Sequence, residues 1–289
     1  MSIKLSQRRV SEIEYENTFY KVYTYITEKV RHLPKRHMHY IGEPVNRNLN
    51  SIYEKIMKCT DYYIHGKDIS VDRYRACAEI LKDMEDVIKL TYFWWNVSGE
   101  NNEIKYVKLR QREFWSGLVN KEISLITGLA RKCRKGKEEG FDIPVMHPYN
   151  LKQIEGVIFL EKLEKIQKVI YKRAIHLGKD YRDAQMEMLV KLSRDAFYNA
   201  LEGNYTMATD EKQYNKRKRY FSEAIGNLYA MNRPFRELCF NNIFREKEMA
   251  ELCNLVTECI KILKSIQNSD KERFEKLKND DENNKTKTA

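Results

Sequence analysis

The feature that most limits what this chain can fold into is a helical pattern written twice. His32-Leu33-Pro34-Lys35 closes one amphipathic stretch, and His176-Leu177-Gly178-Lys179 closes another 144 positions later. Self-similarity of this kind makes the chain a tandem array, and 289 residues are enough for two domains that each bury a core, so the fold has to be reasoned from the repeat.

In the first copy the spacing of apolar residues predicts four helices, over 11–31, 43–66, 70 to the polar run at 98–102, and 104–132. Ser11 with Glu14 reads as a capping box, and Pro44 suits the first turn of the second helix. The second copy predicts helices near 151–176, 180–202, 211–238 and 243–276. Core positions pair in order between the copies. Val45, Ile52, Tyr53, Ile56 and Met57 match Leu189, Ala196, Phe197, Ala200 and Leu201. Leu81, Met84 and Ile88 match Leu228, Met231 and Phe235 at an offset of about 147. Trp115, Leu118, Val119, Ile123 and Ile126 match Leu252, Leu255, Val256, Ile260 and Leu263 at 137. Few glycines and prolines and short connections make the expected fold all-α, two tandem antiparallel four-helix bundles. The expected division is a first bundle over 1–136, a linker over 137–150, a second bundle over 151–277 and a disordered tail over 278–289.

Charge narrows the partners. The chain carries a formal net charge of +11, and both halves share it: 26 Lys and Arg against 20 Asp and Glu up to position 144, and 27 against 22 after it. A basic excess of this size attracts polyanions through counterion release, which puts nucleic acid first among partner classes. No apolar run is long enough to cross a bilayer, since even 80–95 is interrupted by Lys82, Asp83, Glu85, Asp86 and Lys89. The first ten residues lack the apolar stretch of an export signal, and the six cysteines form no CxxC pair. The expectation is a cytoplasmic protein with reduced thiols.

Basic clusters are the candidate nucleic-acid contacts. They are Lys35 and Arg36 in the first turn; Lys105, Lys108, Arg110 and Arg112; Arg131, Lys132, Arg134 and Lys135; Lys179 and Arg182 in the second turn; and Lys216, Arg217, Lys218 and Arg219. The 131–135 cluster also complements a helix C-terminus, whereas the 216–219 run lies near a helix start, where like charges repel and an anionic partner relieves them. Tyr92-Phe93-Trp94-Trp95 is the sharpest aromatic cluster. One helical turn has too narrow a face to bury four adjacent rings, so one or two are expected to project outward and anchor a protein partner. No phosphate-binding glycine loop, nucleophile elbow, paired-carboxylate motif or metal-ligand spacing is present, and the chain reads as non-enzymatic with no cofactor.

The first turn also carries a family motif. Pro34-Lys35 followed by Ile41-Gly42-Glu43 resembles, at the same spacing, the Pro-Lys-x-Tyr-Arg-x-x-Leu-Gly-Glu of the accessory variability determinant proteins of diversity-generating retroelements and of the related proteins encoded by ribosomal RNA intervening sequences. The second turn keeps the complementary positions Lys179, Tyr181 and Arg182, and Met38 stands where the family has arginine. The resemblance implies a basic helical bundle that binds a reverse transcriptase and its template RNA or RNA–cDNA and supports cDNA synthesis without catalysing it. Family members form rings of five. A chain with two units cannot fill five identical positions, so any homo-oligomer is expected to depart from that ring. The alternatives are a general RNA-binding or ribonucleoprotein bundle and a HEPN-like ribonuclease, to which Arg31 and His37 bear a superficial spacing match.

Overall fold

The computed structural model describes residues 5–64, 70–98, 104, 107–133, 143–148, 154–178 and 185–287, and no strand occurs among them. The chain is all-α and divides into two compact units, Met1–Asn150 and Leu151–Ala289.

The first unit contains α1 (Leu5–Arg31), a short α2 (Lys35–His37), a π-helical turn (Met38–Gly42), α3 (Glu43–Ile64), α4 (Ser70–Val97) and α5 (Leu109–Cys133). In the π-helical turn Gly42 lies where a Cβ would come within 2.6 Å of the Met38 sulfur and 3.1 Å of Val30, so a hydrogen is what lets the turn close on α1. Helix α3 packs along α4, α4 along α5, and α5 returns to α1, so the four long helices enclose one core. Two predicted starts move. Helix α1 begins at Leu5, which places Ser11 within it and not at its start. Helix α5 begins at Leu109 and not at Ile104, because the Lys108 N–H donates to Gln111 Oε1 at 3.2 Å and fixes the first turn.

The second unit contains α6 (Ile158–Ala174), α7 (Glu187–Tyr205), α8 (Glu211–Ala230), α9 (Asn232–Phe240) and α10 (Glu246–Lys287), with α6, α7, α8 and α10 in contact in that order and α10 returning to α6. Helix α6 starts later than predicted because Gly156 turns the chain with φ +82, its N–H donating to Glu161 Oε1 at 2.8 Å. The single helix predicted over 211–238 is broken at Met231, since Pro234 has no N–H to offer the carbonyl four residues back. Helix α10 runs to Lys287, past Lys278 where the polar composition predicts disorder.

Burial follows one register in both units. Phe19, Val22, Ile26 and Val30 are buried in α1, as are Leu163, Ile166, Ile170 and Ala174 in α6, 144 positions on. Trp115, Val119, Ile123 and Ile126 in α5 correspond in the same way to Leu252, Val256, Ile260 and Leu263 in α10. Local geometry repeats too. His32 and His176 each donate a backbone N–H to the carbonyl three residues back at 3.2 Å. The Arg245 N–H donates to Glu248 Oε2 at 3.2 Å, the counterpart of Lys108 and Gln111. The pairing fails at Tyr53 and Met57, which are 46% and 44% exposed, while Phe197 and Leu201 are fully buried. Gly203 explains part of this, because a Cβ there would lie 2.7 Å from the Phe221 ring; without one, α8 closes tightly over α7.

The stretch expected to be a linker is partly structural. Residues 143–148 run extended against the first unit, with Pro144 and Met146 buried. The Asn120 side chain donates to Met146 O and accepts from Met146 N–H, both at 2.8 Å, and the His147 N–H donates to the Tyr92 hydroxyl at 2.6 Å. Burial pushes the His147 imidazole below its ordinary value. Two residues along α5 from Asn120, Glu122 is completely buried and neither carboxyl oxygen has a hydrogen-bond partner. Burial raises it well above the ordinary glutamate value of 4.5, with Lys121 only partly opposing. The folded chain therefore retains a proton that the unfolded chain releases, so this residue's contribution to stability falls as pH rises above about 4.5. Glu122→Gln is expected to raise the melting temperature at about pH 8 more than at about pH 5 in paired thermal melts; an equal or opposite change would contradict a buried neutral carboxyl.

Candidate nucleic-acid interface

Two clusters remote in sequence meet at one end of the first unit. The last turns of α1 lie beside the first turns of α5, where Tyr25 packs edge-on against Phe114 at 5.1 Å and Trp115 at 5.8 Å. Since α1 ascends to this end and α5 descends from it, Arg31, His32, Lys35 and Arg36 share the end with Lys108 and Arg110. Lys29 belongs to the same group, its ammonium 5.5 Å from the Tyr25 ring. Lys35, Lys108 and Arg110 reach solvent, and Arg36 lies among them at the turn. The acids here, Glu28, Glu43 and Glu113, are outnumbered by these cations. At this end candidate cations from two separate stretches of sequence lie on neighbouring elements. Lys105 lies outside the described residues, as do Arg134, Lys135, Lys179 and Arg182.

Arg112 does not belong to that surface. It is 1% exposed, its Nε donates to Val107 O at 3.0 Å, and its guanidinium lies 5.0 Å from the Trp95 ring. Sequence spacing placed it in a basic run, but its position on α5 turns it inward, where its flat cation stacks on the indole and ties down the chain entering the helix. Arg131 and Lys132 are exposed in the last turn of α5, at the opposite end, where they complement the helix dipole.

The 216–219 run is likewise divided by the helix. Arg217 Nε pairs with Asp270 at 2.6 Å, its Nη1 donates to Gly203 O at 2.8 Å and Thr206 O at 3.0 Å, and its guanidinium lies 4.9 Å from the Phe221 ring. It satisfies the carbonyls that end α7 and joins α8 to α10, a structural role that a charge count alone does not reveal. Lys218 is exposed and forms no ion pair among the described residues. Arg219 leans on Tyr220 at 5.3 Å and approaches Glu223 at 3.9 Å, and Lys216 lies 5.8 Å from the same ring.

The aromatic cluster is corrected outright. Tyr92, Phe93, Trp94 and Trp95 are 1%, 1%, 3% and 1% exposed, so none is an outward anchor. The end of α4 is enclosed on every side: Trp94 and Trp95 meet Trp115 edge-on at 5.5 and 5.8 Å, Arg112 covers Trp95, and the 143–148 segment closes over Tyr92. Rings that do reach solvent, such as Tyr20, Phe114 and Phe240 at 63%, 55% and 88% exposed, are not distinguished by sequence spacing.

His37 is fully buried, while Arg31 is exposed at the end of α1. No group of three His, Cys, Asp or Glu able to hold a metal occurs among the described residues, and no helix among them is long and apolar enough to cross a membrane. All six cysteines are free thiols; Cys59 and Cys77 are buried and hydrogen-bonded to each other, and Cys77 as donor holds Cys59 below its ordinary value. Compared with protein-family models, with curated proteins and with solved structures, the chain finds no match.

Neighbouring arginines on α5 are expected to separate structure from binding. Arg112→Ala should lose roughly 2 to 4 kcal/mol in denaturant unfolding, since it empties a packed site and strands the Val107 carbonyl. Arg110→Ala, on the exposed face, should change stability by no more than about 0.5 kcal/mol. Equal stability losses would refute the assignment of Arg112 to the core.

Proposed function

We propose that this protein is a non-catalytic RNA-binding scaffold built from two diverged copies of an antiparallel four-helix bundle, and that it holds a reverse transcriptase and its template RNA together during cDNA synthesis. The observation that carries the RNA-binding reading is the convergence of Lys35 and Arg36 with Lys108 and Arg110, remote from them in sequence, at one end of the first unit. Cations gathered from separate elements onto one surface in excess of the acids beside them attract a polyanion, and contacts of this kind position a phosphate backbone without reading its sequence. The shared burial register and the repeated capping and turn hydrogen bonds support the duplication. The reverse transcriptase partner rests on the motif resemblance at Pro34-Lys35 and Ile41-Gly42-Glu43.

Fluorescence anisotropy with single-stranded RNA across a salt series tests the first part. Affinity should fall steeply with salt, and a triple variant carrying Lys35→Ala, Lys108→Ala and Arg110→Ala should flatten the log–log slope by about 0.7 for each phosphate that is no longer neutralised. Binding that ignores salt would end the polyanion reading. For the second part, cDNA yield from a diversity-generating retroelement's reverse transcriptase on its own template should rise on addition of the native chain and not of the triple variant. No stimulation by the native chain would remove the reverse transcriptase from the proposal and leave RNA binding standing.

A further inference from the structure

The two units differ most where the first is filled with rings. In the first unit Tyr25, Phe114 and Trp115 occupy the space between the end of α1 and the start of α5. The shared register places Val169, Glu251 and Leu252 at those positions in the second unit, and the same space between α6 and α10 is an open groove of about 320 Å³. That volume is at the lower end of the range for small-ligand sites, enough for one ring system with a polar appendage.

The groove is chemically two-sided. Its floor is apolar, formed by Val169, Leu252 and Leu255. The α6 wall carries Lys165 and Lys172 in one stripe along the helix, and His176 lies in the turn just past its end. Arg173 on the same wall is committed to Glu248. Although burial opposes it, hydrogen bonds from the Arg245 N–H and from Arg173 hold Glu248 below the ordinary carboxylate range, so this pair is a fixed end to the groove and not a free charge. The α10 wall presents Glu251, exposed and without an ion partner among the described residues. A ligand matched to these walls has a flat apolar ring, an anion on one side and hydrogen-bond donors on the other. An acidic peptide bearing a tyrosine offers the ring and the anion but brings further negative charge toward Glu251.

We propose that this groove is a socket for one nucleotide of single-stranded RNA, with the base lying on Val169, Leu252 and Leu255, its amino or imino edge donating to Glu251, and its phosphate held by Lys165, Lys172 and His176. The base takes the place that Tyr25 and its neighbouring rings occupy in the first unit. This inference rests on the RNA-binding reading above and names a site for it in the second unit.

The test refills the socket without removing a positive charge. In the full chain, Val169→Tyr restores the residue that the first unit carries, and Leu255→Trp occludes the floor from a half-exposed position. Each is expected to weaken binding of a single-stranded RNA of about ten nucleotides by about tenfold, the worth of one base stack, while the salt slope and the melting temperature hold. The double variant Lys165→Ala/Lys172→Ala should instead flatten the slope, and ultraviolet crosslinks from the native chain should map to the peptides spanning the groove. If both refilled variants bind RNA as the native chain does, the socket is refuted and general RNA binding stands. If the refilled variants lose a tyrosine-bearing acidic peptide and not RNA, the occupant is a protein and the inference is overturned. If the native chain binds no RNA at all, both readings fall together.

Discussion

Much of the first unit depends on one group of aromatic rings around Trp115. This indole meets Trp94 and Trp95 of α4 and Tyr25 of α1, each edge-on at between 5.5 and 5.8 Å. Edge-to-face contacts are directional, so they fix three helices in rotation as well as in separation. Arg112, one turn earlier on α5, stacks on Trp95 and draws in the chain at Val107. The cations at this end owe their convergence to the same rings. With α1 and α5 clamped through Tyr25 and Trp115, Arg31 and Arg110 extend beyond the clamp in the same direction.

Helix identity and core register were legible in the sequence because an amphipathic helix states its buried face every three to four residues. Errors came where a residue's surroundings lie outside its own helix. Tyr92 to Trp95 were read from the narrowness of one helix face, but α4 at that end is covered on all sides, and part of the cover comes from 143–148, a segment whose prolines mark it only as non-helical. Arg217 shows the same limit for charge: a run of four cations looks like one patch until successive residues, about 100° apart on the helix, send one of them to Asp270 and the end of α7. The α6 stripe of Lys165, Val169 and Lys172 did have a signal, since its spacing puts all three on one face. That face was missed because the residues are not consecutive.

A second internal difference lies deeper. Glu122 in α5 and Cys259 in α10 occupy the same register position and both are fully buried. The second unit places a thiol there, its Sγ directed at Phe159 O at 3.9 Å and its ionisation pushed up to about 12 by burial. A protonated thiol is at ease in such surroundings; a carboxyl stays only by holding its proton. The first unit thus keeps a polar group that weakens it as pH rises, at the level of the clasp formed by Asn120 and Met146.

These substitutions share a direction. The first unit has filled its α1–α5 space with Tyr25, Phe114 and Trp115 and presents its cations at the end beyond them. The second has Val169, Glu251 and Leu252 at the same positions and presents its cations along the wall of the space left open. Loss of rings from a core normally costs several kcal/mol when neighbours cannot relax. Here Leu252 is still 1% exposed and the Arg173–Glu248 pair closes one end, so the missing volume is concentrated at the surface, where water or a ligand can occupy it. A surface groove is tolerated where a buried void of the same size would not be, and that difference lets the second unit do without these rings while the buried aliphatic residues behind them keep its core closed.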